Sequence, residues 1–175
     1  EYLHFVGRMY GLDKQTSTQR TSELLEFMGL ANEQRKLIAD YSHGMGKKLA
    51  LAAAVIHSPR VLFLDEPFEG VDAVAAATLR RMLQGMIARG VTIFLTSHVL
   101  EIVEKLCTHI AIIAKGQIVA NGSLDDLRAG VQARLATGDA TQGLAERLTL
   151  EQIFLSVVGT GETAAGSETE LQWLR

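Results

Sequence analysis

Four apolar residues, then two acids and a proline, constrain this chain more than any other stretch: Val61-Leu-Phe-Leu-Asp-Glu-Pro67. A continuous apolar run too short for a helix reads as a strand buried in a parallel sheet. Asp65 and Glu66 then fall at its carboxyl end, where open α/β sheets place their ligands. The oxygen atoms of Asp65 suit a hard divalent cation. Glu66 suits proton abstraction from an attacking water. Pro67 fixes the backbone that leaves the strand. A strand ending in a helix-capping acid would be spelled the same way, so the motif needs partners.

Two other stretches supply them. Val91-Thr-Ile-Phe-Leu-Thr96 reads as a second strand, and Ser97-His98 follows it. If the two strands are neighbours, His98 shares one edge with Asp65 and Glu66, within reach of a terminal phosphate or a water. Alone, a strand-end histidine is as readily a surface or capping residue. Upstream, Tyr41-Ser-His-Gly-Met-Gly-Lys-Lys48 runs into an Ala/Leu-rich helical stretch, 49–56, that Pro59 stops. Free N–H groups at such a helix start can bind phosphate oxygens. Ser42 can cap the helix or donate to a phosphate, and Gly44 lets the backbone approach a ligand. An ordinary capped helix start reads the same way. The phosphate-loop spacing GxxxxGK[ST] occurs nowhere in the chain.

The remaining pattern is that of an α/β core. Leu3, Val6 and Tyr10 have helical spacing, as do residues 17–28, closed by Gly29, and 74–88, closed by Gly90. A short helix is expected over 100–106, and strands 109–114 and 117–120 should form a hairpin at Lys115-Gly116. Ser123-Leu-Asp-Asp126 and Thr149-Leu-Glu-Gln152 have capping-box spacing. Residues 131–137 alternate as an edge strand does, and 159–168 read as a loose segment. The 175 residues, 47% apolar, fit one domain and exclude disorder. A net charge of −3 leaves no basic footprint for nucleic acid. The single cysteine, Cys107, excludes an intrachain disulfide, and His4, His43, His57 and His109 have no zinc-ligand spacing with it.

Taken together, these stretches resemble the ATP-binding cassette (ABC) family, in particular the nucleotide-binding domains of export-type, ABC-2-like transporters. Tyr41 to Lys48 is similar to the signature motif and Val61 to Glu66 to Walker B. Glu69-Gly-Val-Asp72 is similar to the D-loop and Ser97-His98 to the switch histidine. Order and spacing agree over residues 1–125, and Leu148 to Leu155 resembles the C-terminal extension of export-type subunits. The resemblance implies an α/β, P-loop NTPase-like cassette that binds and hydrolyses ATP with Mg²⁺ to power export across a membrane. It implies Asp65 for Mg²⁺, Glu66 as general base and His98 as γ-phosphate sensor. It also implies Ser42, Gly44 and Met45 against a nucleotide held by a second ATPase subunit, with Asp72 at that interface. A transmembrane permease would hold the subunit at the cytoplasmic side of the membrane.

Three positions depart from the family pattern. His43 stands where many members have glycine, Ala73 replaces a proline, and Glu69 occupies a small polar position. The chain opens at Glu1 inside an amphipathic stretch, which reads as a cut. The expectation is therefore a C-terminal fragment lacking Walker A and Q-loop, inactive alone. Its fold is expected to be incomplete: part of the helical subdomain plus the C-terminal half of a mostly parallel sheet core. The expected parts are a signature-bearing helical segment (1–58), a Walker B and switch-histidine core (59–125) and an extension (126–175). A non-transport ABC-type ATPase, and a catalytically dead module that keeps the signature surface, are the alternatives.

Overall fold

The computed structural model describes residues 1–135 and 148–159. The chain divides into two compact units, Glu1–Val99 and Leu100–Arg175.

In the first unit, α1 (Tyr2–Met9), α2 (Lys14–Phe27) and α3 (His43–Val55) precede β1 (Val61–Leu64), α4 (Ala73–Ile87) and β2 (Thr92–Leu95). Helix α2 starts three residues ahead of the expected position. Its start is set by Asp13, whose carboxylate accepts from Thr16 N at 2.9 Å. Gly29 follows its end at φ +66, a conformation that favours glycine. Helices α1 and α2 approach closely, since a Cβ on Gly7 would lie 2.8 Å from Ser17 Oγ. Arg20 Nη1 donates to Ile56 O and Ser58 Oγ, fastening α2 to the end of α3. Met28, Leu30, Ile56, Leu79 and Leu83 form the sealed core of this unit.

Strands β1 and β2 pair in parallel with α4 as the crossover, in register Val61↔Thr92 to Leu64↔Leu95. The expectation of a fully buried strand is corrected. Leu62 is buried, but Val61, Phe63 and Phe94 are exposed, and the two phenyl rings stack at 5.2 Å. An apolar run shows that a strand tolerates burial on both faces. Only packed neighbours provide the second cover, and among the described residues this face has none.

In the second unit, α5 (Leu100–Leu106) leads into β3 (Ile110–Ala114) and β4 (Gln117–Gly122), an antiparallel hairpin. Lys115 at φ 51 and Gly116 at φ 77 make its two-residue turn. Helix α6 (Leu124–Leu135) starts at a capping box in which Ser123 and Asp126 bond each other's backbone N–H. The expected edge strand is corrected, because residues 131–135 continue α6. Leu127 and Val131 are both buried four residues apart, the spacing of one helix face. Residues 136 and 137 lie outside the described residues, as does the expected loose segment beyond Gly159. Helix α7 (Leu150–Val158) has the full capping box of Thr149 and Gln152. Arg128 joins α6 to Leu148 O at 2.9 Å and to the Glu104 carboxylate at 3.3 Å.

The expectation of an incomplete fold is corrected as well. The described helices and both sheets close around cores of their own. A motif missing from a sequence says which residues are absent. It does not say how the apolar faces that are present pack. Among the described residues, no helix is long and apolar enough to cross a membrane.

Two substitutions test these packing assignments by urea unfolding. Leu83→Ala, at a fully buried site, should cost about 2–5 kcal/mol. Thr149→Ala, which removes only a cap, should cost about 1 kcal/mol.

Candidate active site

The parallel pairing carries Asp65, Glu66 and His98 to one edge. Thr96 N donates to Leu64 O at 2.9 Å, extending the ladder one step beyond β2. The residues that follow each strand are thereby level with each other. Glu66 Oε2 lies 3.0 Å from His98 Nδ1 and also accepts from His98 N at 3.4 Å. An ionised carboxylate only accepts, so Nδ1 carries the proton of that bond and Nε2 is left at the other edge of the ring. The His98 side chain is 65% exposed and that of Glu66 28%, so the imidazole is open to a ligand while the carboxylate is partly sheltered.

Glu66 has φ +43, in the left-handed region, where a non-glycine residue costs about 1–3 kcal/mol and persists only if its surroundings impose it. Two side chains do so. Glu66 N donates to Thr96 Oγ1 at 3.0 Å, and Lys47 Nζ donates to Glu66 O at 2.9 Å. The Thr96 hydroxyl in turn donates to Asp65 Oδ1 at 2.5 Å. In the sequence Thr96 reads as a strand end and Lys47 as added positive charge one turn along the helix; neither reads as a partner of Glu66. The available signal was Thr96 two residues before His98, level with the acid pair once the strands are aligned.

The second group assembles at the start of α3. Ser42 is its N-cap and accepts from Met45 N at 3.3 Å, so the serine acts here as a helix cap. Gly44 is buried against α4: a Cβ there would lie 3.3 Å from Asp72 Oδ2 and 3.5 Å from Ala75 Cβ. His43 Nε2 meets Glu69 O at 3.1 Å, and a Cβ on Gly70 would come within 3.0 Å of the His43 ring. Glu69 thus contributes its carbonyl, and its residue type is exposed to solvent. Asp72 caps α4 by accepting from Val74 N and Ala75 N, both at 2.9 Å. The Ala75 N–H bond first, with the Val74 bond and the Lys48 charge adding to it and desolvation opposing them, holds the Asp72 carboxyl below the usual carboxylate range.

Among the described residues, no group of three or more His, Cys, Asp or Glu side chains converges as a metal cage. Mg²⁺ is held through one or two carboxylates plus waters and phosphate oxygens. Asp65 is the carboxylate at the strand end that suits this role. The capped N-terminus of α3, with two lysines in its second turn, suits phosphate.

The Asp72 cap has a pH signature. A carboxylate whose pKa is lowered on folding stabilises the fold above its ordinary range and loses that contribution as pH falls through the lowered folded value. Asp72→Asn keeps a capping oxygen but has no charge. Melting temperatures of the two proteins should differ at neutral pH, with the parent higher, and converge as the pH falls below the carboxylate range.

Residues 3–69 match the family model described as ABC transporter. An uncharacterized ABC transporter ATP-binding protein of Nostoc sp. is 39% identical over 129 residues, covering 73% of this chain and 38% of that protein. The linearmycin resistance ATP-binding protein LnrL of Bacillus subtilis is 36% identical over 127 residues, covering 73% of this chain and 41% of that one. The chain thus spans about two fifths of the length of these curated relatives. Among solved structures, an ATP-binding subunit of an ABC transporter superposes with a TM-score of 0.75 at 26% identity, covering 89% of this chain and 60% of that one. A nucleotide-free ATP-binding cassette of an ABC transporter, at 22% identity and a TM-score of 0.59, covers 70% of this chain and 48% of that one and supports the fold alone.

These matches correct the reading of the chain as a C-terminal fragment lacking Walker A and Q-loop. The family match begins at residue 3, and the likeness to a cassette subunit runs through most of the chain. The chain shares both sequence and fold with ABC transporter ATP-binding proteins.

Proposed function

We propose that this chain belongs to an ATPase subunit that binds and hydrolyses ATP to drive export through a membrane permease. The observation that carries the reading is the convergence of Asp65, Glu66 and His98 at the ends of one parallel strand pair, with Glu66 Oε2 3.0 Å from His98 Nδ1. The similarity to ATP-binding proteins of ABC transporters, one of them a linearmycin resistance protein, supports it.

ATP bound with Mg²⁺ supplies a phosphoanhydride whose γ-phosphorus is open to attack. Asp65 would hold the cation through its carboxylate. Glu66 accepts the proton of the attacking water, and the His98 Nδ1–H bond fixes the direction of that carboxylate. His98, whose side chain is largely exposed, would contact the γ-phosphate. Ser42, Gly44 and Met45 present the start of α3 to the nucleotide of a second ATPase subunit, in the arrangement a two-fold pair of identical surfaces allows. Asp72, beside Gly44, lies next to that interface. The subunit works on the cytoplasmic side of the membrane, attached through the permease. In this reading the chain divides by function into a signature segment (1–58), a catalytic core (59–125) and an extension (126–175).

Steady-state phosphate release by the full protein with its partner subunits tests this reading. Glu66→Gln keeps size and hydrogen bonding but removes the proton acceptor, and should lower turnover by about 10²–10⁴-fold with ATP binding retained. Asp65→Asn should first raise the Mg²⁺ concentration required. More than half of the activity left in Glu66→Gln would remove Glu66 from the role.

A further inference from the structure

We infer that Thr96 and Lys47 are positioning residues that clamp the backbone of Glu66 and thereby aim its carboxylate. This rests on the reading of Glu66 as the general base.

The clamp is built from two elements outside β1. Thr96 follows β2 and Lys47 lies on α3. Thr96 Oγ1 receives the Glu66 N–H at 3.0 Å, and Lys47 Nζ donates to the Glu66 carbonyl at 2.9 Å. Side chains distant in sequence thus hold both polar groups of Glu66 around a φ of +43, and Glu69 N shares the carbonyl at 3.2 Å. Such a backbone relaxes when its partners are removed. Relaxation would swing the Glu66 side chain away from His98, where Oε2 now has two contacts.

The two residues differ in one respect. The Thr96 hydroxyl has a single proton, and it goes to Asp65 Oδ1. Thr96 therefore spans both acids, with its lone pair on the Glu66 amide and its proton on the Asp65 carboxylate. Lys47 holds Glu66 through the carbonyl alone. Removing the hydroxyl disturbs the cation ligand and the base together, whereas removing the ammonium disturbs the base only.

The test uses Thr96→Val, Thr96→Ser, Lys47→Met, Lys47→Arg and Glu66→Gln in the full protein with its partner subunits. Thr96→Val and Lys47→Met should each lower kcat about 10- to 100-fold while KM for ATP stays within about twofold. Thr96→Ser and Lys47→Arg, which keep a donor in place, should recover most of the loss. Only Thr96→Val should raise the Mg²⁺ concentration for half-maximal rate. Hydrogen exchange at the Glu66 amide reads the clamp without turnover: protected in the parent and in Thr96→Ser, fast in Thr96→Val. Unchanged kcat in Thr96→Val and Lys47→Met, where Glu66→Gln is inactive, would overturn the proposal. So would an equally protected Glu66 amide in Thr96→Val. If Glu66→Gln keeps its turnover, the general-base reading fails instead, and the amide exchange still decides whether the clamp exists.

Discussion

The parallel pairing of β1 with β2 is the constraint on which the site depends. Parallel hydrogen bonds fix which residue of one strand stands beside which residue of the other. Leu64 is opposite Leu95, and Thr96 N reaches back to Leu64 O. Everything one or two positions beyond those residues is then brought to the same edge. Asp65 and Glu66 meet Thr96 and His98 there without any local interaction between the two stretches. Helix α4 makes the pairing possible as the crossover between parallel strands, and its Leu79 and Leu83 are fully buried. Core packing some distance from the carboxylates therefore sets their geometry.

A second wall comes from the first turns of α3. Its contacts with the 66–72 segment go to backbone carbonyls or rely on the lack of a side chain: Lys47 on Glu66 O, His43 on Glu69 O, and Gly44 beneath Asp72. Such contacts hold a loop in place whatever side chains it has. They also account for one departure from the family pattern, and the Asp72 cap accounts for a second. The histidine at position 43 uses its ring to fasten the loop. Proline suits the first position of a helix because it needs no N–H there. Ala73 occupies that position in α4, and the Asp72 carboxylate secures the same helix start through Val74 N and Ala75 N.

Strain and stabilisation meet at Glu66. A left-handed glutamate is unfavourable by itself, and it is retained where hydrogen bonds from two other elements over-determine it. The carboxylate that such a backbone presents is more narrowly directed than one on an unconstrained strand end. The narrower direction matters for a proton acceptor, whose efficiency depends on distance and angle to the water it activates.

By itself the sequence determined the local elements and the kinds of chemistry at their ends. The short apolar run at 61–64, the helix over 100–106, the turn at Lys115-Gly116 and the boxes at Ser123 and Thr149 were legible, because each rests on residues close along the chain. So were the acids and the histidine, as strand-end residues. Where local patterns were ambiguous, the sequence misled: residues 131–135 alternate in polarity, yet the burial of Val131 four residues after Leu127 makes them helix. The tertiary structure alone decided that β1 and β2 are neighbours, that one face of β1 is uncovered among the described residues, and that Thr96 and Lys47 converge on Glu66. Those facts depend on contacts between residues 19 and 30 positions apart. No periodicity or motif spacing encodes such contacts, because they follow from which apolar faces close against each other when the whole unit packs.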